Sequence, residues 1–437
     1  MYWAYRWYVL ALLGLIYSVH AMDRTVINLI LEPIKREFGL SDSALGLLTG
    51  LGYALPFSIA GLPLGALVDR ANRKQLLATL VTTWSVFTVL GGFARGFYLL
   101  LATRMAVGAA ESGSPPTALA LVSDYFPPRV RASAVSIFYV GAPLGAILAA
   151  QVSQLTAPYG WRATLFAAAL PGLILAAILA LTVREPVRGS MEPTASTVID
   201  PGVLQAPFRA VFALIAREPS LALILAALVF MALSTVGVST WIPALLMRGY
   251  GLPVGQASSI MALAGLIGVG GTLLGGFLSD IYARGRASKL LVLAGTANLV
   301  QVLPLLGALS APGVAGFKYP FLLWTVLHTV NYGAGFGVAL GLAPPQMRGR
   351  LMAVTFVLAN ILGAGLGPQI VGLLSDSFSR GGDASALPHA IRALAIAAGL
   401  SGALFLAALK FVPAGLTRAL AEKREPTPAP VGGPETF

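Results

Sequence analysis

Apolar runs long enough to cross a bilayer follow one another along almost the whole chain. A hydrocarbon core about 30 Å thick needs roughly 20 apolar residues per helical crossing. Twelve stretches meet that need, at residues 7–33, 44–68, 75–94, 97–122, 131–155, 161–183, 220–247, 254–279, 289–310, 319–343, 349–376 and 388–413. No water is available inside the core, so each stretch must satisfy its own backbone as a helix. The alternating ten-residue segments of a membrane β-barrel are not seen. With 57% hydrophobic and only 11% charged residues, the chain cannot cover itself with the polar surface of a water-soluble domain. The expected fold is an all-α membrane protein with twelve transmembrane helices. The first run is too long for a cleavable signal and carries Asp23 and Arg24.

Composition also excludes function classes. Cysteine is absent, which removes disulfides, thiolate metal sites and Cys nucleophiles. Three histidines, His20, His328 and His389, are too few for a His-rich metal site. No Walker loop, HExxH or Gly-x-Ser-x-Gly segment accompanies the spans. An enzyme and an ATP-driven pump are therefore not expected, and no cofactor is called for. The net charge of +12 reads as topology rather than nucleic-acid binding. With the N-terminus cytoplasmic, 19 Lys and Arg fall on the cytoplasmic side and 8 on the outer side. That bias places both termini inside.

The chain is built twice. Residues 184–218 form the one long polar interruption and read as a cytoplasmic linker between a six-helix bundle at 1–183 and a second at 219–415. The tail at 416–437 reads as disordered. GALVDRANRK (65–74) follows the second span and GFLSDIYARGR (276–286) the eighth, each with Gly, three residues, then Asp. FPPRVRASAV (126–135) and APPQMRGRLMAV (343–354) follow the fourth and tenth. Asp69 to Asp280 is an offset of 211 residues, and Pro127 to Pro344 one of 217. Two landmarks at nearly one offset indicate a duplicated six-helix unit, an architecture of secondary transporters.

On these residues the chain resembles the major facilitator superfamily over nearly its whole length, with Gly65, Asp69, Arg70, Arg73 and Lys74 matching the superfamily's loop motif. The span-1 MDR (22–24), Arg104 with Glu111, SDYFPPRVRASA (123–134), GWR (160–162) and GLGPQIVGLLSD (365–376) resemble its spinster-like branch. The resemblance implies proton-linked movement of lysolipid or sphingoid molecules across a bacterial inner membrane. It also implies that spans 1, 4, 7 and 10 line a central cavity, with span 2 opposite span 11 and span 5 opposite span 8. Organic-anion and sugar-acid porters share some of these features, so the fold alone does not fix the cargo.

Charges inside the spans mark the expected site. A mid-membrane charge costs about 3 kcal/mol on insertion scales. Asp23 and Arg24 are neighbours on a helix and cannot share one face. Arg104 and Glu111 stand two turns apart on one face, separated by about 10 Å. Asp23 and Arg104 lie at similar depth and are expected to meet. Asp23 and Glu111 are the candidate proton sites. Arg24 and Arg104 are the candidate charge switches or anion contacts, with Glu111 as an alternative partner of Arg24. The second half has no mid-span charge in spans 7 to 11. His328, Asn331, Tyr332 and Trp241 are expected on its cavity wall, although a hydrogen-bonded core imidazole also fits His328. A wall charged on one side and apolar on the other suits an amphiphile.

A gate is expected at the cytoplasmic side. Asp69 and Asp280 can accept from the N-terminal amides of facing helices. Arg348 or Arg350 would pair with Asp69, and Arg129 or Arg131 with Asp280, with Arg70 and Arg73 beside them. The leading expectation is a monomeric, proton-coupled transporter whose partners are the bilayer, protons and a small amphiphile. An organic-anion or drug porter is the alternative. A gradient-independent lipid scramblase or transport-dead sensor is the alternative of another class.

Overall fold

The computed structural model describes residues 2–68, 70–188, 190–191, 208–283, 286–330, 334–343, 347–379 and 385–412. Among them every regular element is a helix. The first half contains α1 (Tyr2–Leu29), α2 (Leu31–Phe38), α3 (Asp42–Thr49), α4 (Leu51–Val68) and α5 (Arg73–Gly92). It continues with α6 (Phe97–Glu111), α7 (Ser114–Tyr125), α8 (Pro128–Tyr139), α9 (Gly141–Thr156) and α10 (Trp161–Thr182). After α11 (Phe208–Arg217), the second half holds α12 (Pro219–Gly249), α13 (Val254–Leu278), α14 (Ala287–Val300), α15 (Val302–Leu309) and α16 (Val314–Val330). It ends with α17 (Ala334–Leu342), α18 (Arg348–Leu358), α19 (Leu366–Ser379) and α20 (Ala386–Ala408).

Ten continuous segments among the described residues are long and apolar enough to cross a membrane. The fourth and tenth expected spans are the two that divide. The fourth breaks after Glu111 because Pro115 and Pro116, at the start of α7, have no N–H to continue the ladder. In the tenth, α16 and α17 flank residues 331–333, which lie outside the described residues together with the called Asn331 and Tyr332. Large apolar side chains such as Leu181 and Leu303 remain exposed on the bundle, the surface a bilayer would cover. The chain is a multi-pass integral membrane protein.

The expected linker is more structured than its polarity suggested. Within it, α11 buries Val211 and packs on α12 and α18. Its apolar residues recur at helical spacing, which a reading based on charge alone overlooks. The tail called at 416–437 lies outside the described residues.

The two halves share a core at one end only. One hydrophobic cluster combines Leu45 and Leu48 of α3 with Val238 and Trp241 of α12 and Val371 of α19. A second is built entirely from the first half, around Trp84 and Phe126. A third is built from α11 onward, around Leu228 and Phe405. Across the halves α3 packs on α19 and α9 on α13, the pairing of spans 2 with 11 and 5 with 8. The α3–α19 approach needs missing side chains. A Cβ on Gly50 would lie 2.2 Å from the Gly365 carbonyl oxygen, and one on Gly372 2.3 Å from that of Asp42. Contact continues to Asn360, whose amide donates to the Ala54 carbonyl (3.2 Å) and Ser58 hydroxyl (3.0 Å). Beyond it the halves part, and around Gly65 and Gly276 no atom approaches within 4 Å of an added Cβ.

Candidate functional site

Two spans carry the buried charges, and two more supply their polar partners. Asp23 of α1 is 1% exposed and Arg104 of α6 is 3% exposed, so each must find a partner. Arg104 Nη1 donates to one Asp23 oxygen at 2.8 Å, and the Thr88 hydroxyl of α5 donates to the other at 2.6 Å. The meeting expected from matched depths is what the structure contains. Glu111 is fully buried at the break between α6 and α7. The Tyr53 hydroxyl of α4 donates to its Oε2 at 2.5 Å. Arg24 sets its guanidinium over the Tyr53 ring, 5.1 Å from the centroid, a cation–π contact.

The alternative pairing of Glu111 with Arg24 is replaced by this arrangement. Tyr53 stands between the two, giving its hydroxyl to the carboxylate and its ring face to the cation. Arg24 is half-buried and makes no ion pair among the described residues. Three polar atoms in the cluster are buried without a hydrogen-bond partner: Glu111 Oε1, Arg104 Nε and His20 Nδ1. Tyr53, Thr88 and His20 were not singled out from the sequence. Their signal was helical spacing: His20 lies one turn before Asp23 and Arg24.

Two of the residues called for the second-half wall sit in packed positions. Trp241 is fully buried in the shared core, and its indole N–H donates to the Pro368 carbonyl at 3.0 Å. It ties α12 to α19. His328 lies against Trp324, with ring centroids 4.3 Å apart and Nδ1 3.2 Å from the Trp324 carbonyl oxygen. This is the core imidazole anticipated as its alternative.

A charge network not anticipated from sequence seals the joined end. Asp42 accepts from Lys35 (2.5 Å), from Arg248 of α12 (2.8 Å) and from the Ser375 hydroxyl (2.6 Å). Arg248 also bonds Glu32. Asp376 of α19 accepts from the backbone amides of Asp42 and Ser43, each at 2.9 Å. A carboxylate from one half thus holds the positive end of a helix in the other. The sequence reading expected this device at Asp69 and Asp280, at the opposite end. GLLSD (372–376) repeats the same Gly-x-x-x-Asp spacing and was the available signal.

The residues called for the cytoplasmic gate have the following surroundings. Asp69 lies outside the described residues. Arg70 and Arg129 are exposed. Arg73 is buried within the first half, bonded to Asp124 and, at 3.2 Å, to Glu185. Arg131 donates to the carbonyls of Ser123 (2.9 Å) and Phe126 (3.3 Å), closing the end of α7. Arg348 donates to the Ala343 carbonyl (3.2 Å), and Arg350 lies over the Phe208 ring. Asp280 lines a cleft of about 400 Å³ with Thr272, Ser279 and Thr329. Among the described residues no cluster of His, Asp and Glu could hold a metal ion.

Comparison with known proteins gives one answer. The family model described as Major Facilitator Superfamily matches residues 13–368. An MFS-type efflux pump of Mycolicibacterium smegmatis is 29% identical, with 91% of each chain covered. Human protein spinster homolog 1 is 30% identical over 94% of this chain and 82% of its own length. The crystal structure of a bacterial homolog of the human lysosomal transporter Spinster, inward-facing and unoccupied, superimposes with a TM-score of 0.84 at 26% identity, covering 97% of this chain and 99% of that one. The chain belongs to the Major Facilitator Superfamily, and its relatives include the spinster proteins.

Proposed function

Starting from that membership, we propose that the protein is a proton-coupled secondary transporter that moves an amphiphile with an anionic or polar head by alternating access. The observation that carries this reading is the buried cluster itself. Asp23, Arg24, Arg104 and Glu111 sit inside membrane spans, where inert packing would need none of them. Two acids and two bases balance only while both acids are ionised. A proton on either acid leaves net positive charge beside the cavity, and Arg24, without an ion-pair partner among the described residues, is placed to receive an anionic head. Arginine suits a carboxylate or phosphate because its fork can bond two oxygens at once. The apolar second half would hold the tail.

Coupling follows from the pairing. A proton on Asp23 would remove the charge that Arg104 holds, so proton binding and release of Arg104 go together. Proton binding then biases the conformational equilibrium. The seal at Glu32, Asp42, Arg248 and Asp376 supports an outer gate, closed here, with both termini on the cytoplasmic side of the inner membrane. Asp69 and Asp280 remain the proposed closure of the opposite state.

The test is uptake of lysophospholipids, sphingoid bases and sugar acids by proteoliposomes under an imposed proton gradient. Gradient-driven uptake of the lysophospholipids is expected. Uptake of sugar acids alone would replace the cargo, and lipid movement indifferent to the gradient would indicate a scramblase.

A further inference from the structure

We propose that His20 and Glu111 form a proton-sharing dyad, in which His20 is a further proton-handling residue of the transport cycle beside Asp23 and Glu111. The inference rests on the proton-coupled reading above. His20 is 6% exposed, and its Nδ1 lies 3.7 Å from Glu111 Oε2. Neither His20 Nδ1 nor Glu111 Oε1 has a hydrogen-bond partner among the described residues. A buried polar atom left unmatched costs about 1–3 kcal/mol. The imidazole nitrogen faces Oε2, the oxygen that already accepts from Tyr53, so a proton carried between His20 and the carboxylate would give Nδ1 its partner.

The setting fits transfer rather than a permanent bond. The imidazole is held by rings, stacked on Tyr17 (centroids 5.5 Å apart) and edge-on to Trp84 (6.1 Å). Closing 3.7 Å to hydrogen-bond length requires a movement of about 1 Å. Then the Nδ1–H bond of an imidazolium breaks, an O–H bond forms on the Glu111 carboxylate, and both groups end neutral. Arg24 on α1 and Arg104 on α6 oppose a charged imidazole, Asp23 and Glu111 favour it, and Tyr53 of α4 donates to Glu111. From α5 Trp84 meets the imidazole edge-on and Thr88 donates to Asp23, and Tyr139 of α8 lies behind Tyr17, its ring centroid 5.5 Å from that of Tyr17. By contrast Asp23 has both oxygens occupied.

The chain has only three histidines, so ¹⁵N-histidine labelling of the full chain in nanodiscs gives a spectrum in which His20→Asn identifies the His20 signals. A carboxylate within about 4–6 Å changes a neighbour's proton affinity by roughly 1–3 pH units. The titration of the His20 signals is therefore expected to move by about one unit or more in Glu111→Gln, and by less in Glu111→Asp. In proteoliposomes His20→Asn is expected to displace the pH profile of transport by a similar amount. Identical His20 titrations in the wild type and both Glu111 variants would overturn the dyad. An unmoved transport profile in His20→Asn would remove His20 from the cycle. The spectra read the dyad even if transport ignores the gradient, so its failure and that of proton coupling are distinguishable.

Discussion

At Asp23 the two carboxylate oxygens are divided between a charge and a hydroxyl, and the division suggests separable roles. Losing the Thr88 hydroxyl removes one hydrogen bond, worth about 0.5–1.5 kcal/mol net. Thr88→Ala should therefore leave gradient-driven transport present but reduced, by roughly tenfold at most. Asp23→Asn removes the charge that Arg104 neutralises and should abolish proton-driven uptake while the protein still folds. Unchanged pH dependence in Asp23→Asn would take that residue out of the mechanism. The Asp23–Arg104 pair was legible in the sequence because an ionised group in a membrane span demands a partner and the depths matched. Tyr53 was not legible, since an aromatic ring in an apolar run has an ordinary packing role, and the signal for His20 was only its one-turn spacing from Asp23 and Arg24. Trp241 misled for the reverse reason: a large aromatic suits a cavity wall as well as a core.

At the scale of elements, proline and glycine decide where helices break and how closely they meet. Pro115 and Pro116 end α6 at Glu111, so the acid sits at a helix terminus rather than inside a continuous ladder. The α3–α19 seam depends on Gly50 and Gly372, because a side chain on Gly50 would strike the carbonyl oxygen of Gly365, just before α19, and one on Gly372 that of Asp42 in α3. Gly50→Val should hold that seam apart, favouring the state open at the Asp42 end and slowing transport. Spin labels placed on α3 and α19 should read a longer distance than in the parent; an unchanged distance would count against the seam as a closure. A smaller anchor joins α2 to α10. Hydrogen bonds from Arg162 and then from the Trp161 indole hold the Glu37 carboxyl below the usual carboxylate range. A depressed value means stability present above the unfolded value and lost as pH falls through the folded one. Glu37→Gln should flatten that acid-side loss in a thermal-shift series, only slightly because the group is exposed. Helix number and the duplication could be read from apolar runs and repeated motifs. The breaks within α6–α7 and the helix α11 required local proline chemistry and helical spacing that a count of charges does not capture.

For the whole molecule the balance lies between two closures at opposite ends. One shared hydrophobic cluster and the Asp42–Arg248–Asp376 network join the halves at one end, while separate clusters serve them at the other. Arg248 compensates two buried acids, Glu32 and Asp42, and removing one partner of such a group costs about 3–5 kcal/mol. Arg248→Gln should therefore shift the population toward the state open at that end. The natural absence of cysteine lets a single introduced cysteine on α19 report the shift by faster thiol labelling. The sequence could show two pseudo-equivalent halves and basic gate motifs. It could not show which end is closed, because both conformations use the same residues and differ by little free energy. The central claim is that a proton gradient drives the cycle through the Asp23–Arg104–Glu111 cluster. It is tested most directly by lysophospholipid uptake into proteoliposomes holding the wild type, Asp23→Asn or Glu111→Gln, with and without an inwardly or outwardly directed proton gradient. The account predicts uptake that responds to the gradient in the wild type and loses that response in both variants; equal uptake with and without the gradient in the wild type would contradict it.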